Sequence, residues 1–163
     1  MASTTAQNYE QLSYGGAASQ VRGQHRQIIG DAVATRTLLQ KESGALCLFD
    51  RAAGVVYTLP APVIGMQFDF CSTVTITSNA AKIITNSASV FILGDVQMVI
   101  DAAATVLAAA GNGSTHVSIS MNGTTTGGVI GTRLRLTAIS STQWVIDGKV
   151  SASGTLATPF ATS

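Results

Sequence analysis

The residues that could carry chemistry are few and widely separated along this chain. His25 and His116 are about ninety positions apart and share no motif. Cys47 and Cys71 each lie in a predicted strand, and two thiols without a suitably spaced histidine do not make a metal site. We interpret both cysteines as buried and reduced, with a disulfide between neighbouring strands as the alternative. No metal and no cofactor is expected.

The acidic residues do not form an obvious general acid–base pair. The aspartates fall at turns or at outward positions of predicted strands, where an Asp side chain can bond to nearby backbone. The glycine-rich run at 127–131 lacks the lysine and the helical context of a phosphate-binding loop. A protein that is not an enzyme is therefore expected. The aspartates concerned are Asp50, Asp69, Asp95, Asp101 and Asp147.

The composition indicates a surface that is covered in an assembly. Of the 163 residues, 46% are hydrophobic and only 10% are charged, whereas soluble domains usually carry about 25% charged residues. A surface with so few charges is weakly protected against association, which favours an oligomer. The net charge of +1 gives no electrostatic reason to expect nucleic acid or an anionic membrane as partner. The N-terminus does not resemble a signal peptide, so synthesis in a cytoplasm is expected.

The stretch 129–150 has the clearest structural pattern in the chain. It alternates apolar or small residues on one side with Arg133 and Arg135 on the other, as a half-buried strand requires. A turn at 140–142 precedes a return strand with Trp144 and Ile146 on one face. The pattern predicts a β-hairpin. Its inward residues on the first strand are Ile130, Thr132, Leu134, Leu136 and Ala138.

Short apolar runs separated by Gly, Ser, Asn and Pro continue through most of the chain, and the first two of them are predicted to form a hairpin. The pattern predicts an all-β domain over residues 34–163, namely an antiparallel sandwich, a barrel or a jelly-roll-like fold. Predicted strands are 45–50, 55–59, 66–71, 74–77, 82–85, 90–93, 97–100 and 116–121. The predicted core consists of Leu46, Leu48, Phe68, Phe70, Val117, Ile119, Leu134, Leu136 and Trp144.

Two segments differ from this pattern. Residues 101–110 are rich in alanine, with Asp101 as a possible N-cap and Gly111 as a possible C-cap, so a short helix or an irregular apolar connection is predicted. Residues 1–33 have weak apolar periodicity and two adjacent glycines. We expect this second segment to be an extended N-terminal arm that orders only against a partner.

Several short motifs resemble those of small β-rich virion proteins of tailed bacteriophages, and in style most of all those of capsid decoration (cement) proteins. The resemblance covers residues 44–160. It implies a non-enzymatic protein that binds the capsid exterior as a homotrimer and stabilises contacts between subunits of the major capsid protein. The motifs are GVVYTLPAP at 54–62, GMQFDF at 65–70, GVIGTRLRL at 128–136, WVIDG at 144–148 and GTLATPF at 154–160.

The N-terminal arm is the candidate for capsid binding. Its apolar side chains could fill shallow pockets on the capsid, and its basic side chains could pair with acidic groups there. The alternative function is a tail-fibre or spike module that binds a host-surface glycan, although one Trp and three Tyr offer few rings for stacking on sugars. The candidate capsid-binding residues are Tyr9, Leu12, Tyr14, Val21, Arg22 and Arg26.

Overall fold

The structure is a computed structural model that describes residues 25–30, 32–100 and 103–163. Its regular elements are twelve β-strands and one short 3-10 turn, Gln40–Glu42. The strands are β1 Ile28–Ile29, β2 Thr35–Thr37, β3 Leu46–Phe49, β4 Val56–Thr58, β5 Gln67–Ser72, β6 Ala81–Ile84, β7 Phe91–Ile100, β8 Ala103–Asn112, β9 Ser118–Met121, β10 Arg133–Ala138, β11 Gln143–Ala152 and β12 Phe160–Ala161.

The strands form two sheets that pack face to face, which confirms the prediction of an all-β sandwich. The seven-stranded sheet has the order β1-β3-β5-β10-β11-β7-β8, and the five-stranded sheet has the order β12-β9-β6-β4-β2. Both sheets are mixed and not purely antiparallel as predicted: parallel pairs such as β3–β5 and β4–β6 occur beside antiparallel ones such as β10–β11 and β6–β9.

The first seven strands pass alternately from one sheet to the other, so successive strands do not pair. The predicted hairpin of β3 and β4 is therefore wrong. The residues between these strands cross the sandwich, and Gly54, with a φ of +85°, lies so close to the backbone of Ala80 that a side chain would collide. Phe49 and Tyr57 consequently meet across the core, with ring centroids 5.3 Å apart in an edge-to-face arrangement.

The predicted hairpin near the C-terminus is confirmed as β10 and β11. Leu136 pairs with Ile146 in this hairpin, and β5 pairs with the other side of β10, placing Phe68 beside Leu136. Ile130 was predicted to point inward, but it precedes the start of β10 and is 58% exposed.

Most of the predicted core is confirmed as buried: Phe68, Phe70, Ile119, Leu134, Leu136 and Trp144. Leu46 and Leu48 were predicted on the wrong face of β3, because both are half-buried on the outer face while Cys47 and Phe49 are buried. In the run Leu-Cys-Leu-Phe all four side chains are apolar, so alternation could not distinguish the faces. Val117 is also only half-buried, since it precedes the start of β9.

Two segments that were predicted as separate strands form a single strand. Residues 90–93 and 97–100 both belong to β7, which continues through Gly94 at a φ of +105°. A side chain at Gly94 would lie 2.3 Å from the carbonyl oxygen of Ile146 in β11, so glycine allows the two strands to approach each other here. The predicted strand at 74–77 is instead a connection, in which Ile76 is buried.

The prediction of a helix or an irregular connection at 101–110 is wrong. Residues 103–112 form β8, which pairs antiparallel with β7. The helix propensity of alanine is smaller than the gain from completing a ladder of backbone hydrogen bonds beside a long neighbouring strand. The proposed cap Asp101 lies outside the described residues.

Both cysteines are free thiols, as expected, but only Cys47 is buried as predicted, because Cys71 is partly exposed. The register of β3 and β5 pairs Cys71 with Leu48, so Cys71 shares the outer face with Leu48, whereas Cys47 points into the core. Side chains on opposite faces of a sheet cannot form a disulfide.

Candidate interaction surface

The outer face of the seven-stranded sheet concentrates charge in a chain that has little. Arg133 and Arg135 on β10 alternate with buried leucines, and Asp147 and Lys149 are exposed on β11 on either side of Gly148. Strand pairing aligns Asp69, Arg135 and Asp147 in one row across β5, β10 and β11. We call these five residues together with Arg26 the charged face.

Asp69 is the centre of the charged face. It is only 6% exposed although it lies on the outer side of the sheet, because two arginines cover it. Arg135 donates hydrogen bonds from Nε and Nη2 to the two carboxylate oxygens, at 2.7 and 3.2 Å. Arg26 forms an ion pair with the same carboxylate and donates to the carbonyl oxygen of Ala45 at 2.9 Å. The bidentate contact fixes the guanidinium group of Arg135, and the ion pair together with the backbone carbonyl holds that of Arg26.

Asp69 remains ionised to lower pH than an ordinary aspartate does. Burial of its carboxyl raises the pKa, but the hydrogen bonds and positive charges of Arg135 and Arg26 outweigh burial and hold the pKa below its usual value of 3.8. The same interaction raises the pKa of Arg135. The cluster therefore stays charged throughout the neutral and mildly acidic range.

A shallow groove runs along the charged face between β10 and β11. Gly148 lies at its floor, where a side chain would come within 2.3 Å of the carbonyl oxygen of Arg133. Arg133 and Lys149 line the groove and form no ion pair within the described part of the chain. Such a site can receive carboxylates or other anionic groups of a partner.

The charge on this face is unbalanced. Its four basic residues are Arg26, Arg133, Arg135 and Lys149, out of nine in the whole sequence, and its two acidic residues are Asp69 and Asp147. The exposed Asp95 of β7 lies next to Asp147 on the same side of the sheet, so basic residues outnumber acidic ones here by one. A local excess of positive charge in a nearly neutral chain favours an acidic partner surface.

Of the capsid-binding residues predicted in the arm, only Arg26 lies within the described residues. The structure places it on the charged face, where Asp69 holds it. Tyr9, Leu12, Tyr14, Val21 and Arg22 lie outside the described residues. The alternation of Arg133 and Arg135 marked an outward face in the sequence, but nothing there indicated that Asp69 would lie beside them.

The described residues contain no cluster of side chains that could hold a metal ion. No group of three or more His, Cys, Asp or Glu side chains converges there. His116 accepts a hydrogen bond at Nδ1 from the N–H of Asn112 and stacks on Phe160, with ring centroids 5.5 Å apart, so its contacts are structural. Within the same residues, no helix has the length and apolar character needed to cross a membrane.

Comparisons of the chain with protein-family models, with curated proteins and with solved structures gave no match.

Proposed function

We propose that this chain is a non-enzymatic structural protein of a tailed-bacteriophage virion. It binds the capsid exterior as a decoration, or cement, protein and stabilises contacts between subunits of the major capsid protein. The motif resemblance over 44–160 supports this role, and the charged face of an otherwise sparsely charged sandwich is the observation that carries it. The sheet face offers a rigid surface on which Asp69 fixes two arginine side chains.

The charged face attaches to the capsid through acidic side chains of the major capsid protein. Arg133 and Lys149 reach these groups directly, while Arg26 and Arg135 are held in place by Asp69 and contribute to the positive field. Arg26 belongs both to the predicted arm and to the charged face. The arm and the charged face can therefore form one continuous attachment surface. Contacts between exposed charges are screened by salt, so binding should weaken as ionic strength rises.

The alternative role, glycan binding by a tail-fibre or spike module, has less support. Aromatic rings are the usual platforms for sugars, but Trp144 and Tyr57 are buried in the core. The large hydrophobic side chains exposed in the described residues are all aliphatic, as Ile64 and Val106 illustrate. A capsid surface is therefore the better match to what this sandwich exposes.

The proposal is tested by sedimenting the protein with capsids that lack it. The variant Arg133→Glu/Lys149→Glu should bind at least about tenfold more weakly than the natural chain. The variant Lys41→Glu/Lys82→Glu has the same net charge but leaves the charged face intact, and it should bind normally. Equal binding by the two variants would show that the charged face is not the attachment surface. Labelling of intact virions then separates the roles, because label on the tail instead of the shell supports the glycan alternative.

A further inference from the structure

The two sheets of the described chain have four edge strands, and three of them are poorly suited to pairing with another strand. β1 and β12 are two residues long, and β2 is three residues long and carries Arg36. Short strands and charged side chains are the usual ways in which proteins prevent association at sheet edges. The fourth edge, β8, has neither protection: it is ten residues long, contains no proline and no ionisable residue, and exposes Val106 by 57%. Its pairing with β7 shifts register just before Val106, so the regular part of the edge begins at Val106.

The open side of β8 presents backbone groups that can pair with another β-strand. Gly113 donates its N–H to Ile92, next to the start of β7, so its backbone faces into the sheet. Because the direction alternates along a strand, the N–H of Asn112 faces outward, and the side chain of His116 accepts it at 3.1 Å. The outward groups of Ala110, Ala108 and Val106 have no such acceptor within the described residues.

Both faces of β8 near its middle are apolar. On the outer face Val106 lies beside Val99, and on the inner face Leu107 lies beside the buried Met98. Leu107 is nevertheless 37% exposed, while the inner face near Gly111 is covered by the ring of Phe160. A strand added at this edge would cover the exposed parts of both Val106 and Leu107.

We propose that β8 is the surface through which this chain pairs with a second copy of itself, antiparallel about a twofold axis. The side chain of His116 already accepts the outward N–H of Asn112, so the pairing uses residues that precede Asn112. In the proposed register Val106 lies opposite Ala108 of the second copy. This register brings Leu107 of both copies side by side. A twofold axis through Leu107 brings the residues around it close to their counterparts in the second copy, so charged residues there would repel each other. β8 contains no charged residue.

A second copy is favoured over a foreign strand because β8 is self-complementary without any substitution. In β8 alanine side chains lie on either side of the larger Val106 and Leu107. The strand also carries no charged residue that would favour an oppositely charged partner strand. The pairing does not depend on capsid binding. It also differs from the homotrimer that the family resemblance implies, because one twofold contact makes a dimer.

The test is the mass of the full chain by light scattering at about 100 µM, together with matched variants. The natural chain should have twice its 16.7 kDa monomer mass. Val106→Lys should weaken self-association at least about tenfold. Ala108→Pro should do the same, because it removes an outward N–H without removing a hydrogen bond of the β7–β8 ladder. Ile130→Lys is the control, because Ile130 is equally exposed, at 58%, but lies away from β8. It should leave the dimer unchanged.

A mixing experiment identifies the occupant of the edge. Val106→Lys and Val106→Glu chains should each be monomeric alone and form a mixed dimer together, because opposite charges then meet across the twofold. A natural chain that is monomeric or trimeric, or an oligomer that Val106→Lys leaves intact, overturns the proposal. Failure of the two charge variants to associate with each other also overturns it.

Discussion

Arg135 donates two hydrogen bonds to the carboxylate of Asp69, which lies sixty-six positions earlier in the sequence and one strand away in the sheet. Arg26 reaches the same carboxylate from the other side. One nearly buried acid thus connects the segment before β1 with the hairpin β10–β11. This arrangement joins the fold to the candidate function, because the same three side chains hold the sheet together and shape its outer surface.

We predict that Asp69→Asn lowers the free energy of unfolding by about 1.5–3 kcal/mol, because it removes charge-assisted hydrogen bonds and leaves two arginines facing each other. Asp147→Asn is the matched control: Asp147 lies in the same row but is exposed, so a change within about 0.5 kcal/mol is expected. Urea titration measures both. A similar effect of the two substitutions would mean that the ion pairs of Asp69 contribute nothing beyond surface charge.

The Asp69 cluster also predicts a dependence of stability on pH. Its folded pKa lies below its usual value of 3.8, so as pH falls the unfolded chain takes up the proton first. The stabilisation is therefore complete above the usual pKa and is lost as pH falls through the lower folded pKa. Urea unfolding between about pH 6 and pH 2 should show a steeper loss below pH 4 in the natural chain than in Asp69→Asn. Parallel curves would contradict this assignment.

Truncation of Phe70 to Ala should lower the free energy of unfolding by about 3–5 kcal/mol. Phe70 is 1% exposed and its ring lies 5.5 Å from that of Tyr57 and 6.1 Å from that of Phe49, so its removal leaves a cavity between the sheets. Leu48→Ala, at a half-buried position on the outer face, should cost clearly less. Thermal unfolding of both variants checks the face assignment, and a reversed order would refute it.

Strands and their buried faces could be predicted from the sequence where polar and apolar residues alternate strictly. In β10, charged and apolar residues alternate, so both the strand and its faces could be predicted. In β3 every residue is apolar, and only pairing with β5 decides that Phe49 and not Leu48 is buried. β8 could not be recognised from its alanine-rich sequence because its partner β7 determines its conformation. The crossing of successive strands between sheets likewise depends on long-range pairing.

The candidate surface was predictable only in part, for a related reason. The outward position of Arg133 and Arg135 follows from alternation, and Arg26 was singled out as part of a basic cluster. Asp69, the common partner of Arg26 and Arg135, was assigned only to an outward strand position, because a distance of sixty-six residues carries no local signal. Contacts of this kind become visible only once the strand order is known.

The two thiols should differ strongly in reactivity. Burial, with a smaller contribution from the charge of Glu42, raises the pKa of Cys47 to about 12, and its side chain is fully buried. Cys71 is partly exposed on the outer face. At pH 8 a thiol reagent should therefore modify Cys71 in the folded protein and Cys47 only after unfolding, since the thiolate is the reactive form. Cys71→Ser should abolish the fast phase, and a fast phase that persists would place Cys47 at the surface.

Two truncations should separate the role of the arm from the integrity of the sandwich. Deleting residues 1–24 keeps Arg26 and β1, so the charged face and the edge of the sheet remain complete. Deleting residues 1–30 removes both, which leaves Asp69 paired with Arg135 alone. We expect both proteins to fold, and the longer truncation should be less stable. Both should bind capsids more weakly, because they lose the predicted contacts of Tyr9, Leu12, Tyr14, Val21 and Arg22.

Co-sedimentation with capsids lacking the protein measures binding, and urea unfolding measures stability. Undiminished binding after removal of residues 1–24 would show that the arm is not an anchor and that the charged face is sufficient, whereas a loss confined to the longer truncation would assign attachment to Arg26 and β1.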